Sequence, residues 1–273
     1  IKGRPLLDPL IVHVPDLAGL AQVAEPDARL AKLAALWPGP LTVVLRRKAG
    51  VPDLVTAGKD TVAVRLPSHP VFREVLRLAG RPLAAPSANP FGYVSPTRAA
   101  HVVASLGARC PWVVDGGPCE HGVESTILDL SVPGRARLLR PGPIPVETLR
   151  GLLGEVEVVT RAASQHAPQD APGMLDRHYS PATKVALFPV GSLPVVANLR
   201  SAVVFLGRRA SPPAHADVFL LSESGAVAEA AHHLFDLLRR LDGRGYETIH
   251  VELADPTGVG AAYNDRLTRA AAR

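Results

Sequence analysis

Short apolar runs, most of them rich in β-branched residues, recur along the first half of the chain and predict strands. These runs cover residues 9–14, 41–45, 61–66, 112–114, 125–128, 136–139 and 155–159. Helical patterns lie between them, in the Ala- and Leu-rich stretch 16–36 with a break at Pro26 and in residues 70–79, 96–107 and 147–153. The pattern predicts a mixed α/β domain.

Strands alternate with helices again after residue 183. Strand candidates begin at Lys184, Ala202, Asp217 and Thr248. The clearest helix, 226–241, carries apolar residues on one face at steps of three and four, namely Val227, Ala231, Leu234, Leu238 and Leu241. This alternation predicts a smaller, mostly parallel, Rossmann-like sheet.

Residues 160–183 follow neither pattern. They are polar and proline-rich, which is typical of a connection between domains. We therefore predict a first domain over 1–159, a linker over 160–183 and a C-terminal domain over 184–273.

Composition narrows the class of protein. The 273 residues include 27 prolines, about twice the usual frequency of roughly 5%. Proline fixes φ and lacks an N–H donor, so this content excludes a mostly helical bundle. With 47% hydrophobic and 20% charged residues, a disordered chain is also excluded. No apolar run is long enough for a membrane helix, and the N-terminal residues lack the apolar segment of a signal peptide.

Charge and cysteine content leave several partners open. The net charge of +5 suits nucleic acid or a small polyanion, and an ordinary basic surface explains it equally well. Cys110 and Cys119 form no CxxC pair, so neither a zinc site nor a disulfide framework is predicted, and reduced thiols indicate the cytoplasm. Walker, GxSxG and HExxH sequences are absent.

Turns with hydroxyls and cations follow several predicted strands, where open α/β sheets bind ligands. Thr61 and Arg65 are four residues apart on one strand and share a face. Cations with oriented hydroxyls, and no nucleophile beside a base, favour a ligand with several negative charges such as a nucleoside triphosphate. Taken singly, His13 also fits a core histidine and Tyr179 a packing anchor.

Nine motifs occur in a fixed order: KGRP (2–5), PLIVHV (9–14), WPGPLT (37–42), TVAVRLP (61–67), PLAAPSAN (82–89), SPT (95–97), GVESTILD (122–129), LRPG (139–142) and PGM…HYSP (172–181). Together they resemble the threonylcarbamoyl-AMP synthase family, in its YrdC-like long form. The final GVGAAYNDRLTRAA is similar to the end of the family's additional C-terminal domain. The resemblance implies a YrdC-like mixed twisted sheet with helices, followed by the Rossmann-like domain.

The activity implied by the resemblance joins L-threonine, bicarbonate and ATP into threonylcarbamoyl-AMP and pyrophosphate. ATP enters as a substrate with Mg²⁺, without a tightly bound cofactor. The product serves tRNA threonylcarbamoyladenosine modification through a threonylcarbamoyl transferase complex. The implied protein is cytoplasmic, does not bind membranes, and has a basic surface compatible with tRNA contact.

The resemblance also assigns site residues. Lys2 and Arg4 take catalytic roles as cations beside the phosphates. The threonine-binding group comprises His13, Arg65, the backbone at Ala85, and Ser125. The ATP-binding group comprises Arg4, Asp8, Thr61, Ser87, Ser95, Arg140 and Tyr179. Because Tyr179 lies in the linker, we expect that segment to act as a lid over the nucleotide.

The sequence departs from the family pattern in two ways. The family usually has Asn where Asp8 stands, and a carboxylate beside triphosphate is unfavourable unless it meets Mg²⁺ or a ribose hydroxyl. The family also has a strand and a Thr-x-Thr-x-Tyr-Gly-Leu motif before KGRP, which this sequence lacks. We therefore expect an N-terminally incomplete catalytic domain that is unstable or inactive alone; full turnover by these 273 residues would contradict this.

Two alternative functions remain open at this point. Related YrdC-like domains form carbamoyl-adenylate, but they occur in longer chains with zinc-binding CxxC elements, which this sequence lacks. A non-catalytic RNA-binding module is the other alternative. It predicts aromatic residues among the arginines, whereas aromatic residues make up only 4% of the chain.

Overall fold

The computed structural model describes residues 1–159, 169–173, 178–196, 200–211, 213 and 216–272. These residues form two compact units. The first, here the seven-stranded unit, comprises described residues of 4–86 and 124–175. The second, the four-stranded unit, comprises described residues of 1–3, 87–123 and 176–273. Residues 87–123, which we assigned to the first domain, thus group with the C-terminal residues. The division at 159 and 184 stays a prediction.

The seven-stranded unit is built on a mixed sheet. Its strands are β1 (Ile11–His13), β2 (Leu41–Arg46), β3 (Thr61–Arg65), β4 (Leu83–Ala85), β5 (Thr126–Asp129), β6 (Arg137–Arg140) and β7 (Glu157–Val158), in the order β4-β1-β3-β2-β5-β6-β7. β1 pairs parallel with β3 and β2 pairs parallel with β5, whereas β2–β3, β1–β4 and β5–β6 are antiparallel. The predicted mixed α/β architecture is confirmed.

The helices of this unit begin and end where the sequence allows. They are α1 (Leu17–Val23), a 3₁₀ helix (Ala28–Leu36), α2 (Asp53–Thr56), α3 (Pro70–Ala79) and α5 (Val146–Leu153). Asp16 caps α1 by accepting from the Gly19 N–H, and the 3₁₀ helix begins after Asp27, which caps it in the same way. α3 has proline at its start and Gly80 in the left-handed region at its end.

The two faces of the seven-stranded sheet differ. One face packs against α1, the 3₁₀ helix and α5 through a large apolar cluster that includes Leu20, Leu33 and Leu149. A second, smaller cluster contains Val44, Ala63, Ile127, Leu139 and Ala171. The sheet face with this smaller apolar cluster therefore has room for polar side chains.

The four-stranded unit contains an all-parallel sheet. Its strands are β8 (Lys184–Phe188), β9 (Ser201–Phe205), β10 (Asp217–Leu220) and β11 (Thr248–Glu252), in the order β10-β9-β11-β8. Its helices are α4 (Ala99–Leu106), a 3₁₀ turn (Gly107–Arg109), α6 (Val227–Asp242) and α7 (Gly260–Ala271). The predicted apolar face of α6 is buried at Ala231, Leu234, Leu238 and Leu241. The predicted parallel sheet is confirmed.

Three local differences from the sequence prediction stand out. The strand predicted at 112–114 is absent: this segment pairs with no strand of the described residues, and Trp112 and Val114 are 88% and 75% exposed. β4 and α2 were not predicted, because three or four residues are too short for a periodic pattern.

Within the described ranges, no helix is both long and apolar enough to cross a membrane.

Candidate active site

Three neighbouring strands bring polar residues into one row on the seven-stranded sheet. His13 on β1 is the Cα partner of Arg65 on β3, and Arg65 is the partner of Thr42 on β2. Partner residues on adjacent strands project to the same face of a sheet. The row therefore unites two residues predicted to bind threonine with a threonine side chain that we had not predicted as a site residue.

Hydrogen bonds extend this row to Ser125 and Arg140. The hydroxyls of Thr42 and Ser125 are 2.7 Å apart, and both side chains are buried. Arg140 donates from Nη2 to the Ser125 hydroxyl at 3.1 Å, and from Nε and Nη2 to its carbonyl at 3.2 and 3.0 Å. Its Nη1 donates to the Pro172 carbonyl at 3.1 Å. The buried guanidinium is thus held in one orientation.

Thr61 and Ala85 lie on the same sheet but away from the row. Thr61 begins β3, four residues from Arg65, which corresponds to roughly 13 Å along a strand. The predicted shared face of these two residues is consistent with the strand that contains both. Ala85 is paired with Ile11, two positions before His13. Ala63 lies between Thr61 and Arg65 and belongs to the smaller apolar cluster.

His13 is electrically neutral at physiological pH. Its burial, and next the nearby Arg65 guanidinium, lower its pKa to about 4. The ring contacts Phe72 edge-on with centroids 4.9 Å apart. Its Nδ1 is buried and has no hydrogen-bond partner among the residues that the structure describes. A buried imidazole in this state can accept a hydrogen bond from a ligand without adding charge.

Arg4 and Asp8, both predicted to bind ATP, bind each other. Arg4 Nη2 lies 2.9 Å from Asp8 Oδ2, and Arg4 Nε donates to the Asp8 carbonyl at 3.2 Å. Asp8 is buried, whereas Arg4 is partly exposed. The carboxylate therefore neutralises part of the Arg4 charge and orients its guanidinium. This gives Asp8 a structural contact that its predicted ATP role did not include.

In the four-stranded unit, Lys2 contacts the turn that contains Ser87. Its Nζ donates to the backbone carbonyls of Ser87 and Asn89. Asn89 is buried and donates to the Tyr93 carbonyl at 2.8 Å, which shapes the turn. Ser87 is exposed at the surface of this unit. The structure thus brings the predicted catalytic Lys2 to the predicted ATP-binding turn.

Tyr179 is 1% exposed and packs within the core of the four-stranded unit. Its ring stacks on Phe235 with centroids 5.4 Å apart, and the Arg266 guanidinium lies 5.2 Å from its centroid. The next residue, Ser180, donates its N–H to the Gly92 carbonyl at 2.9 Å. Ser95 is also buried in this unit. Of the predicted lid, residues 160–168 and 174–177 lie outside the described ranges.

Two residues with clear structural roles escaped prediction as site residues. Thr42 ends the motif WPGPLT, and this motif was the sequence signal that could have identified it. Only the sheet register and the hydrogen bond show that its hydroxyl lies beside Ser125. Gly142 follows Arg140, and a Cβ there would overlap the Thr126 backbone nitrogen. Glycine is therefore required for this close approach.

Among the described residues, no group of three or more His, Cys, Asp or Glu side chains could hold a metal ion. The site instead presents arginines, a neutral imidazole and hydroxyls on one sheet face. Together with the parallel-sheet unit, these features define an α/β protein suited to small anionic substrates.

Comparison with known proteins identifies the family. A family model for Sua5, YciO and YrdC proteins, described as "Telomere recombination", matches residues 1–142. The model "Threonylcarbamoyl-AMP synthase, C-terminal domain" matches residues 144–272. The chain belongs to the threonylcarbamoyl-AMP synthase family. The resemblance inferred from the motifs is confirmed, as is the prediction of an enzyme of this class.

Relatives match over nearly the whole chain. The threonylcarbamoyl-AMP synthase of Pyrococcus abyssi is 36% identical over 280 residues, covering 98% of this chain and 82% of the relative. That of Bacillus subtilis is 37% identical over 292 residues, covering 99% and 81%. The crystal structure of Pyrococcus abyssi Sua5 complexed with L-threonine superposes with a TM-score of 0.85 at 34% identity, covering 99% and 82%. The carbamoyl-adenylate and RNA-binding alternatives are not favoured.

Proposed function

We propose that this protein joins L-threonine, bicarbonate and ATP into threonylcarbamoyl-AMP. The ammonium group of threonine first releases a proton to water, and the free amine then attacks bicarbonate, which loses water to give a carbamate. A carbamate oxygen then attacks the α-phosphorus of ATP, and the bond to the leaving pyrophosphate breaks. Both reactants are anions, so the protein must supply positive charge and orientation. The observation that carries this proposal is the continuous polar row from His13 to Arg140.

L-threonine fits the His13–Arg65–Ser125 part of the row. The Arg65 guanidinium suits the substrate carboxylate, because its planar fork can donate two parallel hydrogen bonds. His13 accepts a hydrogen bond from the substrate amino group through Nδ1. Its low pKa keeps the ring neutral, so the imidazole does not repel this group while it is an ammonium ion. The Ser125 hydroxyl is oriented by Thr42 and Arg140, and the Ala85 backbone completes the proposed subsite.

For ATP, which enters with Mg²⁺ as a substrate, we keep the predicted residues as proposals. Lys2 and Arg4 offset the charge of the phosphates during pyrophosphate departure. The remaining proposed ATP-binding residues are Asp8, Thr61, Ser87, Ser95, Arg140 and Tyr179. The ion pair with Arg4 supports a role of Asp8 in orienting that cation rather than in touching phosphate directly.

The wider setting follows from the product. A mixed anhydride of this kind is labile in water, so we propose direct transfer to a tRNA-modifying threonylcarbamoyl transferase complex in the cytoplasm. The basic net charge supports contact with tRNA. We also propose the domain limits 1–159 and 184–273, with residues 160–183 acting as a lid that shields the nucleotide from water.

The test compares threonine-dependent pyrophosphate release in the wild type, Arg65→Gln and Arg81→Gln. Arg81 is an exposed arginine outside the row and provides a control with the same loss of charge. Activity is measured on the protein as its gene encodes it, and threonine binding on these 273 residues as well. We expect Arg65→Gln to raise the KM and Kd for threonine at least tenfold, and Arg81→Gln to leave both unchanged.

Three outcomes would contradict the proposal. Pyrophosphate release that does not depend on threonine, or mass spectrometry showing carbamoyl-adenylate instead, would assign another product. Unchanged threonine affinity in Arg65→Gln would remove Arg65 from the substrate site, even if the reaction itself is correct.

A further inference from the structure

The four-stranded unit contains a cavity of about 490 Å³ that none of the proposed substrate residues lines. Its walls come from the turn after Asn89, from α4 and from the last turns of α6. Pro90 and Tyr93 line one side, and Ala104 lines another. A volume of this size suits a small organic molecule, because ligand pockets in proteins commonly measure ~300–1,000 Å³.

The charged residues that line this cavity are two arginines, Arg239 and Arg240, and no carboxylate lines it. Arg240 is exposed, and its guanidinium makes no ion pair or hydrogen bond to any residue that the structure describes. A cavity lined by two guanidinium groups without a carboxylate favours an anionic ligand.

Arg239 is half-buried, yet it contacts only neutral groups. Its Nε donates to the Ser95 carbonyl at 3.1 Å, its Nη1 to the Ser105 hydroxyl at 2.8 Å, and its Nη2 to the Val94 carbonyl. The guanidinium carbon lies 4.9 Å from the centroid of the Tyr93 ring. A guanidinium has five N–H donors, so two remain for a ligand. A partly desolvated cation without a carboxylate partner is costly, and a bound anion would relieve that cost.

The acidic residues nearby are already engaged. Asp236 pairs with Arg98 at 3.1 Å and lies 3.3 Å from His101 Nε2. Asp242 accepts from the Tyr93 hydroxyl at 2.8 Å and from the Thr183 N–H at 2.7 Å. Neither carboxylate forms a direct ion pair with Arg239. Burial lowers the pKa of Arg239, and the Asp242 carboxylate opposes this only in part.

The histidine that lines the cavity, His101, adds no positive charge. Its burial, and next the Arg239 guanidinium, lower its pKa, although Asp236 partly opposes them. Its Nδ1 accepts from the Thr97 N–H at 3.1 Å, so the ring proton lies on Nε2, toward Asp236. The positive charge of the cavity comes from the arginines alone.

We infer that this cavity binds a small phosphate-bearing molecule. Its phosphate group lies between Arg239 and Arg240, and any carbon skeleton packs against Pro90, Tyr93 and Ala104. Phosphate fits better than a carboxylate, because three terminal oxygens can bridge two separate guanidinium groups. The inference is independent of the proposed synthase reaction, since its residues are not those assigned to threonine or ATP.

The experiment titrates phenyl phosphate and inorganic phosphate, separately, into the protein as its gene encodes it, first alone and then with saturating L-threonine and ATP present. Calorimetry compares the wild type with Arg240→Gln and Arg239→Lys, and with the control Arg81→Gln. We expect Arg240→Gln to weaken binding about tenfold. Arg239→Lys keeps the charge but loses the fork, and should weaken it similarly, while Arg81→Gln leaves it unchanged.

The two probes identify the source of the phosphate. Tighter binding of phenyl phosphate than of inorganic phosphate would support an ester with an organic group, whereas equal affinity would support free phosphate. Unchanged affinity in both Arg240→Gln and Arg239→Lys would overturn the inference. So would complete loss of binding when ATP and threonine are added, because the probe would then occupy the substrate site.

Discussion

The two compact units hold their proposed ligand residues in different ways. In the seven-stranded unit, His13 and Arg65 stand on strands and are aligned by sheet register. In the four-stranded unit, Ser87 and Tyr179 stand outside regular elements, where Lys2 and the core around Phe235 hold the chain. The strand-borne group therefore depends on backbone pairing and buried polar contacts, whereas the other group depends on turns and packing.

The largest expected effect disrupts the backbone next to the strand-borne row. Gly142→Ala places a Cβ against the Thr126 backbone nitrogen at the start of β5, which cannot move away like a side chain. We expect the free energy of unfolding to fall by about 3 kcal/mol or more. Chemical denaturation of the purified variant measures this.

Gly151 provides the matched control. It lies in α5, and a Cβ at this position has nothing within 4 Å. Gly151→Ala should be neutral or stabilise the protein by up to about 1 kcal/mol. Equal losses of stability in Gly142→Ala and Gly151→Ala would show that the close approach to the Thr126 backbone does not require glycine at position 142.

The next effect is a pH dependence from His13. The unfolded residue titrates near 6.5, but burial lowers the folded pKa to about 4. The unfolded state therefore binds the extra proton first, and stability falls as pH decreases from about 6.5 to about 4. The difference amounts to about 3 kcal/mol in total. Urea unfolding measured across this range should show the loss.

His13→Gln should remove this part of the pH dependence, because glutamine does not titrate. The partly exposed His121 serves as the control position, and His121→Gln should keep the wild-type slope between pH 4 and 6.5. An unchanged slope in His13→Gln would show that His13 is not buried in its neutral form.

A smaller effect tests the hydroxyl contact within the row. Thr42→Val keeps the shape of the side chain but removes the hydrogen bond to Ser125. We expect a loss of about 1–2 kcal/mol in stability and a weaker threonine affinity, because Ser125 loses one of its orienting partners. Denaturation and calorimetric titration measure the two effects.

Thr42→Ser tests whether the hydroxyl itself is responsible. It retains the oxygen and should preserve threonine affinity better than valine does. Equal affinity in all three proteins would exclude a positioning role for Thr42.

The smallest expected change in stability concerns the turn-borne group. Tyr179→Phe retains the ring that stacks on Phe235 and faces Arg266, so the free energy of unfolding should change by less than about 1 kcal/mol. If the hydroxyl binds nucleotide as proposed, the KM for ATP rises while stability is nearly unchanged. A large loss of stability would instead assign the hydroxyl a purely structural role.

The sequence predicted the regular elements where a pattern extended over enough residues. The apolar face of α6 and the β-branched run of β3 were recognisable because each repeats with the period of its structure. The segment 112–114 has the composition of a strand, but within the part of the chain that the structure describes no strand pairs with it. A strand requires a hydrogen-bonded neighbour, and local composition does not report one.

The site residues also fall into two groups, those that motifs revealed and those that only the fold revealed. Arg65 and Ser125 were found through motifs, and Tyr179 through both a motif and its place in a polar segment. Thr42 was not singled out, because its significance lies in the register of β2 against β3 and in a 2.7 Å contact with a residue 83 positions later. The cavity at Arg239 could not be predicted from the sequence either, because its walls come from segments that are far apart in the chain.

By itself, the sequence determined the α/β class, the positions of most strands and helices, and the family through nine ordered motifs. These features are local, because periodicity, turn chemistry and motif spacing are properties of neighbouring residues. Only the tertiary structure decided which polar residues meet, that Asp8 binds Arg4, that His13 is held neutral, and that Arg239 is half-buried without a direct carboxylate partner. Contacts, desolvation and pKa shifts depend on residues far apart in the chain, and only folding brings those residues together.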